Sequence, residues 1–185
     1  MSDEFVITSE RKDIIANDFG IPINSVENLF QNFVKLRDQI KDHYLAHISR
    51  VLETYFKEKT GNREFFIECK PFRVITPGLR GAVSYYHPLH RFTINYNNNL
   101  PERERRINIA HELGHLYLFA NYCAEKGIDK SFKYERTTEP LSSIFGLYII
   151  SDKNNFYENL AASDRNHNNW QEILDDFKKL CPSMN

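Results

Sequence analysis

Five consecutive residues, His111-Glu112-Leu113-Gly114-His115, hold the densest chemistry in the chain. On an α-helix each residue turns about 100°, so side chains four apart return to within about 40° of one another. His111 and His115 would then present two imidazoles on one face, where neutral ring nitrogens can share a metal ion. Glu112 would stand on the adjacent face, close enough to take a proton from water beside that ion without ligating it. Two nitrogen ligands, a neighbouring general base and an open coordination position are what a zinc hydrolase needs. Gly114 puts no side chain against its surroundings, so such a helix can pack closely on a neighbour.

A catalytic zinc site takes a third protein ligand. The continuation HExxHxxGxxH would supply a third histidine, but Leu118 and Asn121 stand where the glycine and histidine would be. A downstream carboxylate remains. Glu125, on the same helix as His115, lies about 15 Å further along the axis, too far to share the ion. Asp129 and Glu135 fall in a polar loop. Glu139 starts the next helix, where a reversal of the chain could bring it back to the metal, and it is the expected third ligand. The positive end of that helix would also suit the carboxylate in a plain structural role.

The elements that must position these groups can be read from periodicity. A short helix is expected from Glu10 to about Phe19, stopped by Gly20 and Pro22. Apolar residues then recur at helical spacing from Ser25 to Thr60, among them Val26, Leu29, Phe30, Phe33, Ile40, Tyr44, Ile48, Leu52, Tyr55 and Phe56. This is one long helix or two with a break near Asp38–Asp42, and Gly61 suits its end. Glu64–Ile75 is rich in aromatic and β-branched residues, with Pro71 limiting any strand. Gly81–Tyr86 and Phe92–Tyr96 form a hairpin through HPLHR. Asn99 is a fair N-cap and Pro101 a first-turn residue for the helix that carries HELGH and runs to Gly127. Pro140 opens a further helix ending near Ser151, and Trp170 to Leu180 forms a last one. Helices, a small sheet, then helices make an α+β fold in a single domain over 1–185. Residues 1–62 would be an N-terminal helical segment, 63–151 the catalytic core and 152–185 a C-terminal helical segment.

The stretch GAVSYYHPLHRFTINYNNNLPERERRINIAHELGHLYL resembles the core of the ImmA/IrrE metallopeptidase family: a strand pair, a short loop, an arginine-rich helix start, then AHELGH. That family's later helix carries a Glu followed by Ala-Asn, and an apolar end. Glu139 and the tail Leu147-Tyr148-Ile149-Ile150 match, whereas Pro140-Leu141 replaces Ala-Asn and the closing Met-Pro is absent. The resemblance covers about residues 81–151. It implies a zincin-like fold of the gluzincin kind, Zn2+ as cofactor and an intracellular protease. It also implies a regulatory protein as substrate, most often a helix-turn-helix repressor, in phage or mobile-element control or stress response.

Composition adds exclusions. With 24 Lys plus Arg against 25 Asp plus Glu, the net charge is -1, which excludes a strongly basic nucleic-acid binder of the histone kind. No apolar run is long enough to span a membrane, and the charged start MSDEFVITSERKD has no secretory apolar stretch. Cys69, Cys123 and Cys181 show no CxxC spacing, so a cytoplasmic location is expected. Ala16, Gly20 and Val26 keep a helix-turn-helix spacing, but Ile23–Phe33 holds Glu27 and no basic residue, so direct DNA binding is not expected. His43 and His47 read as surface histidines, and His87 and His90 as parts of a turn. Tyr86, Tyr148 and His167 are candidates for stabilising an oxyanion.

The expected activity is zinc-dependent hydrolysis of a peptide bond, with Glu112 as catalytic base and His111, His115 and Glu139 as metal ligands. The rival is a catalytically silent metal-binding regulator, an antirepressor or sensor acting by protein–protein binding. An intact Glu112 counts against that rival, since binding alone needs no base.

Overall fold

The computed structural model describes residues 12–13, 16–17, 22–40, 45–61, 64–73, 81–86, 91–126 and 138–150; among these, the side chains of 34, 85, 86, 125, 126, 138–140 and 144 lie outside the description. Lys12, Asp13, Ala16 and Asn17 are helical, as the short leading helix requires. The expected last helix, Trp170 to Leu180, lies outside the described residues.

The periodic stretch forms two helices, α1 (Ile23–Gln39) and α2 (Leu45–Thr60). Ile40 leaves the helix in an extended conformation, φ -84° and ψ 99°, and its N–H donates to the Arg37 carbonyl. Arg37 closes this end: Nη1 donates to the Ile40 carbonyl at 3.2 Å and Nε to the Tyr148 carbonyl at 3.1 Å. Gly61 ends α2 with φ 70°, a left-handed conformation that costs glycine little.

The strands are β1 (Phe66–Pro71), β2 (Gly81–Tyr86) and β3 (Arg91–Tyr96), in the order β1-β3-β2. The expected hairpin pairs β2 and β3 antiparallel, Gly81 opposite Tyr96 and Tyr86 opposite Arg91. β1 joins on the other side of β3 in parallel, Phe66 opposite Arg91. Pro71 closes β1, and the next N–H, of Phe72, donates to the Tyr96 carbonyl at 2.9 Å. The outer side of β1 is occupied by α2, whose Glu53 Oε1 accepts the Ile67 N–H at 2.7 Å. Among the described residues β2 is the strand at the other edge.

Helix α3 (Glu102–Lys126) begins slightly later than the sequence suggests. The Arg105 N–H donates to the Pro101 carbonyl at 3.0 Å, so Pro101 rather than Asn99 occupies the cap position. The asparagines build the preceding turn instead: Asn97 Oδ1 accepts the Asn99 N–H at 3.0 Å, and Asn98 Oδ1 accepts from Arg105 Nη1 at 2.9 Å. Helix α4 (Thr138–Ile150) completes the described fold.

α3 is the spine of this α+β arrangement, packed against α4, α2, β2 and β3. Its middle is buried on every side, from Glu112 through Ala120, because apolar elements flank it twice. On one flank Phe33 of α1 meets Phe145 of α4 at 4.3 Å and Tyr117 of α3 at 5.2 Å between ring centroids. On another, Phe56 of α2, Phe65, Phe92 of β3 and Phe119 of α3 cluster, with centroids 3.9–5.9 Å apart. Offset and edge-to-face aromatic contacts of this kind add to the burial energy of the rings. No described helix is long and apolar enough to cross a membrane.

Candidate active site

The HELGH residues lie on α3 where α4 crosses it, and two glycines set how closely the helices approach. A Cβ on Gly114 would stand 1.9 Å from the Ser142 carbonyl oxygen, and one on Gly146 would stand 1.7 Å from that of Ala110. Both are impossible separations for real atoms, so the two backbones touch only because neither position has a side chain. The contact brings Ser142 and Ser143 directly onto the histidines.

The structure brings His111 and His115 together as the helical period requires. Their Nε2 atoms are 3.0 Å apart, with ring planes at 90° and centroids 4.6 Å apart. The other nitrogen of each ring meets a serine: His111 Nδ1 is 2.7 Å from Ser143 Oγ, and His115 Nδ1 is 2.7 Å from Ser142 Oγ. His115 is 4% exposed, while His111 is half-buried and so the more open of the two.

This donor pair fits a shared metal ion. Zinc–nitrogen bonds of about 2.0–2.1 Å at a tetrahedral angle separate two nitrogens by about 3.3 Å, close to the spacing found. Tetrahedral zinc prefers imidazole, thiolate or carboxylate donors, and imidazoles are present here. Among the described residues no third His, Cys, Asp or Glu joins the pair. Glu139 falls in the first turn of α4, and its side chain lies outside the described residues. Position 139 stands one helical turn before Ser142 and Ser143 along α4.

Glu112, which follows His111 on α3, is buried at 8% exposure. The start of β2 lies against it: a Cβ on Gly81 would be 3.1 Å from Glu112 Oε1 and 3.7 Å from Asn108 Cβ. Gly81 thus leaves room for the carboxylate between α3 and the sheet.

Several other candidates are placed elsewhere. Tyr148 lies about 140° round α4 from Ser143, so it faces α1 and not the histidines. Its ring is 5.2 Å from that of Phe33 and 5.8 Å from the Arg37 guanidinium. His47 is half-buried, not on the surface as expected, and its Nε2 is buried without a hydrogen-bond partner. His43, His87, His90, His167 and the Tyr86 side chain lie outside the described residues. Ser142, Ser143, Gly81 and Gly146 escaped the sequence reading. The available signal was the spacing of Ser142 and Ser143 three and four residues after Glu139, which puts them on its helix face.

Residues 72–177 match the Peptidase_M78 family, described as the IrrE N-terminal-like domain. The match includes HELGH and Glu139, and it bears out the resemblance to the ImmA/IrrE family. No curated protein and no solved structure matches the chain.

Proposed function

This chain belongs to the Peptidase_M78 family, and from that premise we propose that it is a zinc-dependent peptidase whose reaction is carried out beside His111 and His115. The observation that carries the reading is the convergence of the two Nε2 atoms, 3.0 Å apart, on the helix that also carries the buried Glu112. In this reading the fold is zincin-like of the gluzincin kind, with His111, His115 and Glu139 holding the ion. The place of position 139, one helical turn before the two serines that meet the histidines, supports the third assignment.

Bound zinc supplies a Lewis acid that polarises a peptide carbonyl and makes water acidic enough to lose a proton near neutral pH. The remaining work falls to the chain. The Glu112 carboxylate takes the proton from the attacking water and delivers it to the departing amine nitrogen, so one group serves as base and then as acid. Burial excludes competing water from it, and Gly81 leaves it space. The β2 edge begins beside Glu112, which suits an extended peptide added to the sheet by main-chain hydrogen bonds, with the scissile bond laid over the histidines. On the other edge, Glu53 occupies an outward N–H of β1.

The substrate in this reading is a regulatory protein, in the first place a helix-turn-helix transcriptional repressor, met in the cytoplasm. The support is the family resemblance. Zinc-loaded protein incubated with a peptide library of broad sequence, followed by mass spectrometry of new termini, tests the activity. Cleavage by the wild type and none by Glu112→Gln, with zinc still bound, is the expected result. If neither cuts while a repressor is still captured and inactivated by both, the silent regulator replaces the peptidase.

A further inference from the structure

We propose that Ser142 and Ser143 are positioning residues of the metal centre, each hydroxyl accepting the Nδ1 proton of one histidine so that both Nε2 lone pairs point at the ion. The inference rests on the ligand roles proposed for His111 and His115.

A neutral imidazole carries one N–H and one lone pair, and a ring with no partner can hold the proton on either nitrogen. Two Nε2 atoms at 3.0 Å allow two arrangements. In one, a ring donates Nε2–H to the other ring, and its Nδ1 must then accept from a serine. In the other, both Nδ1 atoms carry protons, both serines accept, and both Nε2 lone pairs meet at a shared cation. Each Nδ1 has one serine hydroxyl at 2.7 Å, and of the two arrangements only the second frees both Nε2 lone pairs for the ion that the ligand reading requires. A partner on the non-ligating nitrogen sets both the tautomer and the orientation of a ligand histidine.

The serines are held where they can do this. Ser142 is 0% and Ser143 2% exposed, so bulk water is not at hand to replace either hydroxyl. Their backbone cannot slide along α3, because the Ser142 carbonyl lies against Gly114 and Ala110 against Gly146. Adjacent residues on α4 thus reach histidines a turn apart on α3, Ser142 to His115 and Ser143 to His111. Hydroxyls perform the task without burying a further charge, which a carboxylate in the same place would do.

The test uses the full chain with zinc alone as the probe. Zinc affinity is measured by competition with a chromogenic chelator for the wild type, Ser142→Ala, Ser143→Ala and Ser143→Thr. Proton NMR of the zinc-loaded proteins follows the protected imidazole Nδ1–H signals. Each alanine should weaken zinc by roughly 10- to 100-fold and remove one signal: that of His115 for Ser142→Ala, that of His111 for Ser143→Ala. Ser143→Thr, which keeps the hydroxyl, should retain both. A merely structural serine would not erase one ring's signal and spare the other's. Because each serine is changed alone, failure of one variant to fold leaves the other as the test. Zinc bound equally by wild type and variants, with both signals intact, overturns the serine assignment alone. A folded wild type that binds no zinc overturns the ligand reading, and this assignment with it.

Discussion

Gly114 and Ser142 are in backbone contact: a Cβ on the glycine would stand 1.9 Å from the serine's carbonyl oxygen. Gly146 repeats the relationship from the other helix, against Ala110. The candidate site is therefore built on a helix crossing with no side chain between its backbones, and the positions of His111, His115 and the two serines follow from that crossing. A metal site whose orienting partners come from a second helix depends on how exactly defined that helix's approach is.

Replacing either glycine with alanine must push α3 and α4 apart, since the obstruction is backbone and cannot rotate away. Gly114→Ala and Gly146→Ala should each lower stability by about 3 kcal/mol, read by urea unfolding of the metal-free protein. Unfolding midpoints equal to the wild type would show that the helices do not touch at these points.

Gly81→Ala makes a milder intrusion, 3.1 Å from Glu112 Oε1, and the carboxylate can yield by a few tenths of an ångström. Stability should change by less than about 1 kcal/mol and zinc binding should be unchanged. The peptidase kcat should fall by about tenfold, because a displaced base no longer meets its proton in line. A fall in zinc affinity with kcat intact would mean that Gly81 faces the ligands and not the base.

Those glycines also show what could and could not be read from sequence. HELGH announced its geometry because two histidines four residues apart have one arrangement on a helix, and Gly114 pointed to a close neighbour. The apolar period of residues 25–60 was equally plain, but only the extended Ile40 reveals that it breaks into two helices. The parallel pairing of β1 with β3 had no local signal, since register between strands distant in sequence is set by packing and not by a turn. Ser142 and Ser143 carried only their spacing from Glu139 as a signal, for a related reason: a serine within a helix is ordinary until the opposite helix is known. Glu139 was reached by its place at the start of the helix after HELGH, with Glu125 too far along the axis, and by its match to the family's later helix.

The buried phenols give a pH signature independent of the metal. Burial pushes Tyr55 up from its ordinary value of 10.0 to about 12, partly offset by hydrogen bonds with Tyr117 and Asn121. Burial raises Tyr117 as well. With the folded value above the unfolded one, the unfolded chain loses the proton first. The stabilising contribution is whole below pH 10 and declines as pH rises toward 12, by about 1.4 kcal/mol per pH unit for each phenol. Urea unfolding between pH 9 and 11.5 should show this decline, shallower in Tyr55→Phe. Equal slopes in both proteins would mean that Tyr55 is solvated in the native state.

Metal content is the direct test of a zinc ion held by His111, His115 and Glu139. Protein purified without chelator or histidine tag is analysed by elemental mass spectrometry beside His115→Ala and Glu139→Ala. About one zinc per wild-type chain is expected, none with His115→Ala and a reduced content with Glu139→Ala. A folded wild type without zinc, which also takes up none when it is supplied, would contradict it.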